Sequence, residues 1–208
     1  SIARAAKMHG LSATIVVPQG NSVEKNAAMR ALGATLVEHG DDFQQASEQA
    51  AALSEQLGLH RVPSFHPDLV CGVASYWIEF FEAAQPDMVL VPIGMGSGIA
   101  ACAAARAFCG ARTRIVGVVS AHATAYLDSF RAGQAVEAPV RTVLADGLAC
   151  RVPDAQALAI IQREVEDIVA VSDDEVAEAM RIYFSDTHNV AEGAGAAPLA
   201  AALQRRAD

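Results

Sequence analysis

The sequence predicts an α/β fold in which parallel strands are covered by helices on both faces. Short apolar segments alternate with longer helical patterns along the chain, and short polar connections separate them. Hydrophobic residues make up 52% of the 208 residues, which is enough for a sizeable buried core. In addition, an apolar strand at Val89 runs directly into a glycine-rich turn and then an alanine-rich helix.

The strands are predicted from short runs of β-branched and other apolar residues. In chain order they cover residues 13–17, 35–38, 61–64 (a weaker pattern), 88–92, 114–119 and 168–171. The long apolar stretch that begins at Met88 is broken by Pro92 and several glycines. It therefore predicts a strand, a turn and a helix, and no membrane span.

Helical patterns fill the intervals between these strands. The expected helices cover residues 22–32, 42–57, 68–84, 97–108, 124–132, 155–166, 173–185 and a last one from residue 196. Several begin with recognisable start signals, because Ser22 and Asp154 can accept hydrogen bonds from first-turn N–H groups. Ser172 followed by Glu175 has the spacing of a capping box.

Composition restricts the possible partners. The formal net charge of −9 disfavours nucleic acid and anionic membranes as partners. The four cysteines show no CxxC spacing, and the six histidines show no zinc-helix spacing, so we expect no metal site from these residues. No secretory signal is visible, and a reducing, cytoplasmic location is expected.

The turn formed by Gly94, Met95, Gly96, Ser97 and Gly98 carries the clearest chemical signal. A glycine-rich turn before a helix directs several backbone N–H groups to one place, where the helix dipole is positive. Glycine permits positive φ and lets the backbone approach an anion without an intervening Cβ atom. The sequence therefore predicts a phosphate seat, to which Ser97 could add a hydroxyl donor.

Two common phosphate sites fit this turn poorly. A dinucleotide-binding unit needs an acidic residue at the end of the next strand, but the strand from Arg114 ends in apolar residues around Val119. A Walker-type site needs a Lys-Ser or Lys-Thr pair after the glycines, and none follows. A compact phosphate on a different cofactor is the better fit.

Five segments in order resemble one known family over essentially the whole chain. They are ATIVVP at 13–18, KNAAMRALGA at 25–34, GDDF at 40–43, ADGL at 145–148 and EGAGAA at 192–197, and the glycine-rich turn lies where that family has its phosphate loop. The chain thus resembles the fold-type II pyridoxal-phosphate enzymes, in particular the branch of threonine and serine dehydratases and serine racemases.

The resemblance implies a tryptophan synthase beta-like fold with twisted parallel sheets and two domains. Residues 1–66 would be most of the small domain and residues 67–208 most of the large domain, whose N-terminal part would be missing. The cofactor would be pyridoxal 5'-phosphate. Its phosphate would be bound by the turn of Gly94, Met95, Gly96, Ser97 and Gly98. Backbone groups of Ala145 and Gly147 would line the cofactor, and Glu192 and Ala194 would flank its ring.

The chain also departs from the family pattern. Lys7 and Lys25 are its only lysines, and neither lies where the family places its Schiff-base lysine. We therefore assign no catalytic residue and expect the 208 residues alone to be inactive. Metal-activated relatives have a glutamate at the place of Val119 and an aspartate near Thr124, so no divalent-cation site is expected there.

By this resemblance the intact enzyme would be an ammonia-lyase (dehydratase) that converts a β-hydroxy amino acid, such as threonine or serine, to a 2-oxo acid and ammonia. A small amino acid would be the substrate, and a homodimer or homotetramer the assembly. A serine racemase or another β-eliminating enzyme is the alternative within the family. A Rossmann-like oxidoreductase and a noncatalytic fragment are the alternatives outside it.

Overall fold

The computed structural model describes residues 1–205, and the chain divides into two compact units. The first comprises residues 1–62, and the second begins at Pro63. The resemblance described above implies the corresponding domain boundary between residues 66 and 67. Each unit has its own parallel sheet.

The first unit contains two strands and three helices. In chain order they are α1 (Ile2–Met8), β1 (Thr14–Val17), α2 (Val23–Ala31), β2 (Thr35–Glu38) and α3 (Phe43–Leu57). The two strands are parallel, with Thr14 opposite Thr35. Ser22 caps α2 by accepting a hydrogen bond from the Lys25 N–H group, as the sequence predicts.

The second unit contains three strands, six helices and one 3₁₀ turn within its described residues. They are α4 (Pro67–Ala83), β3 (Met88–Pro92), α5 (Ser97–Phe108), β4 (Arg114–Ser120), α6 (Ala125–Ala132), the turn Asp146–Leu148, α7 (Ala155–Glu164), β5 (Asp167–Val171), α8 (Asp173–Thr187) and α9 (Gly193–Arg205). Asp154 caps α7, and the predicted capping box at Ser172 is formed.

The sheet of the second unit has the order β3-β4-β5, and all its strands are parallel. Alternate residues face opposite sides, because Val89 and Val91 lie in one buried cluster while Leu90 packs against another. Helices α4, α5 and α7 contribute to the first cluster, and α8 and α9 to the second. Helices thus cover both faces, which confirms the predicted fold class.

Two predicted elements differ from the structure. The weak strand at residues 61–64 is wrong, because this segment has no regular structure and Pro63 has no N–H group to donate to a sheet. The last helix begins at Gly193 rather than Ala196. Its early glycines read as a turn in the sequence, but Gly193 lies in the helix where it approaches the Leu144 carbonyl.

No helix in the described part of the chain is both long and apolar enough to cross a membrane.

Replacing Ile161 by alanine is expected to lower the free energy of unfolding by about 3 kcal/mol. Ile161 lies on α7, is 0% exposed and belongs to the same buried cluster as Trp77, so the smaller side chain leaves a cavity. Trp77 is the chain's only tryptophan, and its fluorescence during urea unfolding reports on this unit. The exposed neighbour Gln162 supplies the control, since Gln162→Ala should change stability by less than about 0.5 kcal/mol. A loss below about 1 kcal/mol for Ile161→Ala would contradict the packing described here.

Candidate functional site

The glycine-rich turn lies at the carboxyl end of β3 and leads directly into α5. The Ile93 N–H group donates to the Val118 carbonyl at 2.8 Å, which extends the pairing of β3 with β4 up to the turn. Gly96 is the residue that precedes α5, with φ of 92°, and as a glycine it has no side chain to cap this helix. The first-turn N–H groups of a helix have no acceptor within the helix, so those that begin at Ser97 are available to an anion.

The glycines of the turn serve different purposes. A Cβ atom at Gly94 would lie 2.3 Å from the Gly147 carbonyl oxygen, so only glycine allows these two backbone segments to approach. A Cβ atom at Gly96 would lie 2.6 Å from the Ala157 Cβ atom, and the positive φ also favours glycine. At Gly98, by contrast, an added Cβ atom would meet nothing within 4 Å. The open side of the turn is therefore at the first turn of α5.

Two further segments join the turn to form the candidate site. A Cβ atom at Gly147 would lie 2.8 Å from the Ala194 Cβ atom and 3.8 Å from a Glu192 carboxylate oxygen. Gly193 approaches the Leu144 carbonyl, where a Cβ atom would lie only 2.1 Å from the oxygen. The structure thus brings together the three segments that contain the residues expected from the sequence.

The individual site residues differ in exposure. Gly96, Ala145 and Ala194 are buried, whereas Gly147 and Glu192 are exposed. The remaining members of the turn are partly buried, namely Gly94, Met95, Ser97 and Gly98. The site can therefore offer mainly backbone donors, one hydroxyl group and one exposed carboxylate.

Asp173 at the start of α8 holds the segment that leads into the Asp146–Leu148 turn. Its carboxylate accepts hydrogen bonds from the Thr142 hydroxyl group at 2.8 Å and from the Val143 N–H group at 3.0 Å. The Thr142 hydroxyl oxygen in turn accepts the Ala145 N–H group at 3.2 Å. Sequence reasoning found the capping box beside Asp173 but missed this long-range role, for which no local pattern exists.

The environment of Asp173 lowers the pKa of its carboxyl group. Burial raises this pKa, but hydrogen bonds from Val143, Thr142 and Leu144 favour the charged form. The nearby imidazole of His122 acts in the same direction. Together these interactions outweigh burial and hold the pKa of Asp173 below its ordinary value of 3.8.

Tyr126 is a second residue that sequence reasoning missed. It lies on α6 and is 1% exposed, and its hydroxyl group donates to the Met95 carbonyl at 3.0 Å. The same hydroxyl oxygen accepts the Asp154 N–H group at 3.1 Å. These partners are 31 and 28 residues away in the chain, so no sequence motif indicates the contact.

The end of β4, where the sequence predicts no divalent-cation site, contains hydroxyl groups that have partners within the protein. The Ser120 hydroxyl oxygen accepts the His122 N–H group at 3.1 Å, and the Thr124 hydroxyl group donates to the Asp128 carboxylate at 2.7 Å. Among residues 1–205, no group of three or more His, Cys, Asp or Glu side chains is arranged to hold a metal ion.

The fold and the turn together define an α/β protein in which a glycine-rich turn joins the end of a parallel strand to the N-terminus of a helix. A family model described as "Pyridoxal-phosphate dependent enzyme" matches residues 1–208. The chain therefore belongs to the pyridoxal-phosphate dependent enzymes, and the architecture is that of fold type II, which confirms the expectation from the sequence.

Relatives within this family include enzymes that act on threonine or serine. The chain is 35% identical to an L-threonine ammonia-lyase from Geobacter sulfurreducens, across 99% of this chain and 52% of the relative. It superposes on threonine deaminase isoform 2 from Solanum lycopersicum with a TM-score of 0.86 and 28% identity, covering 96% of this chain and 59% of that one. Maize serine racemase gives a TM-score of 0.85 and 26% identity, covering 97% of this chain and 62% of the racemase chain. The chain spans about half the length of the curated relatives it matches first.

Replacing Asp173 by asparagine is expected to lower the free energy of unfolding at pH 7 by about 1–2 kcal/mol, because hydrogen bonds to a charged acceptor are lost. The folded-state pKa of Asp173 lies below its unfolded value. Its stabilisation is therefore complete above the unfolded value and is lost as pH falls through the folded one. Urea unfolding at pH 7 and at about pH 3 should show the difference between wild type and Asp173→Asn shrinking at the lower pH.

Asp174 supplies the matched control for this experiment. It lies in the same first turn of α8 but is exposed. Asp174→Asn removes the same charge from the helix N-terminus without touching the Thr142–Leu144 segment. If both variants lost equal stability, the effect would belong to the helix dipole and the anchoring role of Asp173 would be refuted.

Proposed function

We propose that this protein is a pyridoxal-phosphate dependent ammonia-lyase that converts a β-hydroxy amino acid, such as threonine or serine, to a 2-oxo acid and ammonia. The observation that carries this proposal is the uncapped start of α5, open at Gly98 and joined to the Gly147 and Ala194 segments. The relative from Geobacter sulfurreducens, which is named an L-threonine ammonia-lyase, supports the reaction class.

The turn would bind the phosphate group of the cofactor. Backbone N–H groups from Gly94 to Gly98 would donate to the phosphate oxygens, and the dipole of α5 would favour the negative charge. The Ser97 hydroxyl group could add one more donor. The open space beside Gly98 suits a group that must approach the backbone closely, so the residues present fit a phosphate.

The other two segments would form a wall of the cofactor site. Ala145 and Gly147 would contribute backbone groups, while Glu192 and Ala194 would flank the ring. When bound, pyridoxal phosphate supplies a ring that withdraws electrons from the amino acid and so eases loss of the α-proton. The side chain of Ala194 is a methyl group, so this side chain would donate no hydrogen bond to the ring nitrogen. This arrangement suits elimination, in which the leaving group carries away the developing charge.

The proposed reaction also requires a lysine that carries the cofactor. Lys7 lies on α1 and Lys25 on α2, both in the first unit and both outside the family's Schiff-base position. We expect that neither lysine carries the cofactor and that the 208 residues alone release no ammonia.

We also propose a cytoplasmic location and a homodimeric or homotetrameric assembly, with neither nucleic acid nor membrane as a partner.

Gly98→Ala is expected to weaken binding of pyridoxamine phosphate about tenfold or more, which corresponds to about 1.4 kcal/mol. The added methyl group would occupy the open side of the turn, yet it meets no protein atom within 4 Å. Stability without ligand should therefore remain unchanged or rise by up to about 1 kcal/mol. Pyridoxamine phosphate is the probe because it has the phosphate but no aldehyde to react with lysines, and calorimetry measures its Kd.

Gly72→Ala is the matched control for this substitution. Gly72 lies in a helix, and a Cβ atom there also meets nothing within 4 Å, but it belongs to α4 and not to the turn. This variant should bind pyridoxamine phosphate like the wild type. Equal Kd values for Gly98→Ala and the wild type would refute the phosphate seat at the start of α5.

The reaction itself is tested with the full-length protein, loaded with pyridoxal phosphate. L-threonine and L-serine should each be assayed for ammonia and 2-oxo acid, and L-serine also for D-serine. Release of both products in equal amounts supports the ammonia-lyase. The likeness to maize serine racemase makes racemisation the second candidate, and D-serine formed without ammonia would favour it over the proposed reaction.

A further inference from the structure

The hydroxyl group of Tyr126 connects the glycine-rich turn to the start of α7. It donates to the Met95 carbonyl at 3.0 Å and accepts the N–H group of Asp154, the capping residue of α7, at 3.1 Å. Tyr126 itself is 1% exposed, so water does not compete readily for these hydrogen bonds. One buried hydroxyl group thus links the turn to both α6 and the start of α7.

This contact fixes the orientation of one peptide group in the turn. The structure has no cis peptide bond among residues 1–205, and in a trans peptide the C=O and N–H groups point in opposite directions. When the Met95 carbonyl points to Tyr126, the N–H group of the same peptide, on Gly96, points away from it. The reverse orientation would present the carbonyl oxygen where the N–H group now is, and an oxygen repels an anion.

The turn needs such an anchor because its glycine backbone can adopt more than one conformation. Gly96 has φ of 92°, and glycine adopts positive and negative φ about equally well, so little intrinsic preference opposes a peptide flip. Packing restricts the turn on one side, since a Cβ atom at Gly96 would lie 2.6 Å from the Ala157 Cβ atom and 3.1 Å from the Tyr126 hydroxyl oxygen. The hydrogen bond, however, is what distinguishes the carbonyl from the N–H group.

The chemistry of the hydroxyl group suits this role. Burial raises the pKa of Tyr126, and the neighbouring Cys150 and Asp154 side chains raise it further, whereas the hydrogen bond from the Asp154 backbone lowers it. Burial dominates, so the hydroxyl group keeps its proton throughout the neutral and mildly alkaline range. It therefore remains able to donate to the Met95 carbonyl throughout that range.

We infer that Tyr126 is a positioning residue that holds the Met95–Gly96 peptide with its N–H group directed at the phosphate seat. This inference rests on the proposed function, because it assumes that the turn binds the phosphate of the cofactor. Tyr126 does not touch the phosphate. It acts through the peptide and sets how many aligned donors the turn offers.

The test compares the wild type with Tyr126→Phe, which removes only the hydroxyl group. Inorganic phosphate is titrated into the ¹⁵N-labelled 208-residue chain, and the amide resonances of residues 96–99 are followed. In the wild type the Gly96 amide proton should move downfield on binding. In Tyr126→Phe we expect a Kd about five- to tenfold higher and a Gly96 shift at saturation reduced by at least half, while the Gly98 amide still responds.

Tyr183→Phe is the matched control, since Tyr183 is a partly buried tyrosine on α8 with no assigned role in the turn. It should keep the wild-type Kd and the wild-type Gly96 shift. Thermal unfolding of each variant separates stability from binding. A Tyr126→Phe variant that unfolds at a lower temperature but keeps the wild-type Kd and Gly96 shift would overturn the inference, because the hydroxyl group would then be purely structural.

Two outcomes distinguish the inference from the function on which it rests. If phosphate leaves residues 96–99 of the wild type unchanged, the phosphate seat itself is refuted. If the wild type binds and Tyr126→Phe binds equally, only the role of Tyr126 is refuted. Should Tyr126→Phe fail to fold, the wild type provides a second measurement, because phosphate must strengthen any contact that favours its own binding. Exchange of the Tyr126 hydroxyl proton with water should slow at saturating phosphate, and an unchanged rate would contradict the inference.

Discussion

Backbone segments far apart in the chain approach so closely at three glycines that no side chain fits between them, and the candidate site depends on this constraint. Gly94 lies against the Gly147 carbonyl, Gly147 against Ala194, and Gly193 against the Leu144 carbonyl. The first contact joins the turn to the segment around Gly147, and the other two join that segment to the start of α9. Because the obstructing atoms at Gly94 and Gly193 belong to the backbone, they cannot move aside as a flexible side chain can.

Those parts of the fold that depend on local sequence could be predicted from it. The strands of both sheets follow from short β-branched runs, and Ser22, Asp154 and Ser172 cap helices as their spacing indicates. The glycine-rich turn is recognisable in the sequence because strand, turn and helix are consecutive in the chain. Ala145, Gly147, Glu192 and Ala194 carry no chemical signal of their own, and only the resemblance to a family directed attention to them.

What the sequence could not provide are contacts between distant segments. Tyr126 reads as an ordinary core residue of a helix, and its bonds to Met95 and Asp154 exist only after α5, α6 and α7 have packed together. Asp173 reads as a first-turn acid, although its carboxylate also holds the Thr142 and Val143 segment. At Gly193 the local sequence favours a turn, but close packing against Leu144 places this residue in the first turn of α9.

The order β3-β4-β5 leaves β3 with a strand neighbour on one side only, within the part of the chain that the structure describes. Its sequence, Met88-Val89-Leu90-Val91-Pro92, is uncharged and entirely apolar. An unpaired edge of this kind offers a row of N–H and C=O groups to any other extended chain, and Pro92 interrupts that row only at its end. Preparations of these 208 residues should therefore self-associate through strand addition at high concentration, and a lysine introduced on this edge would be the natural means of keeping them soluble.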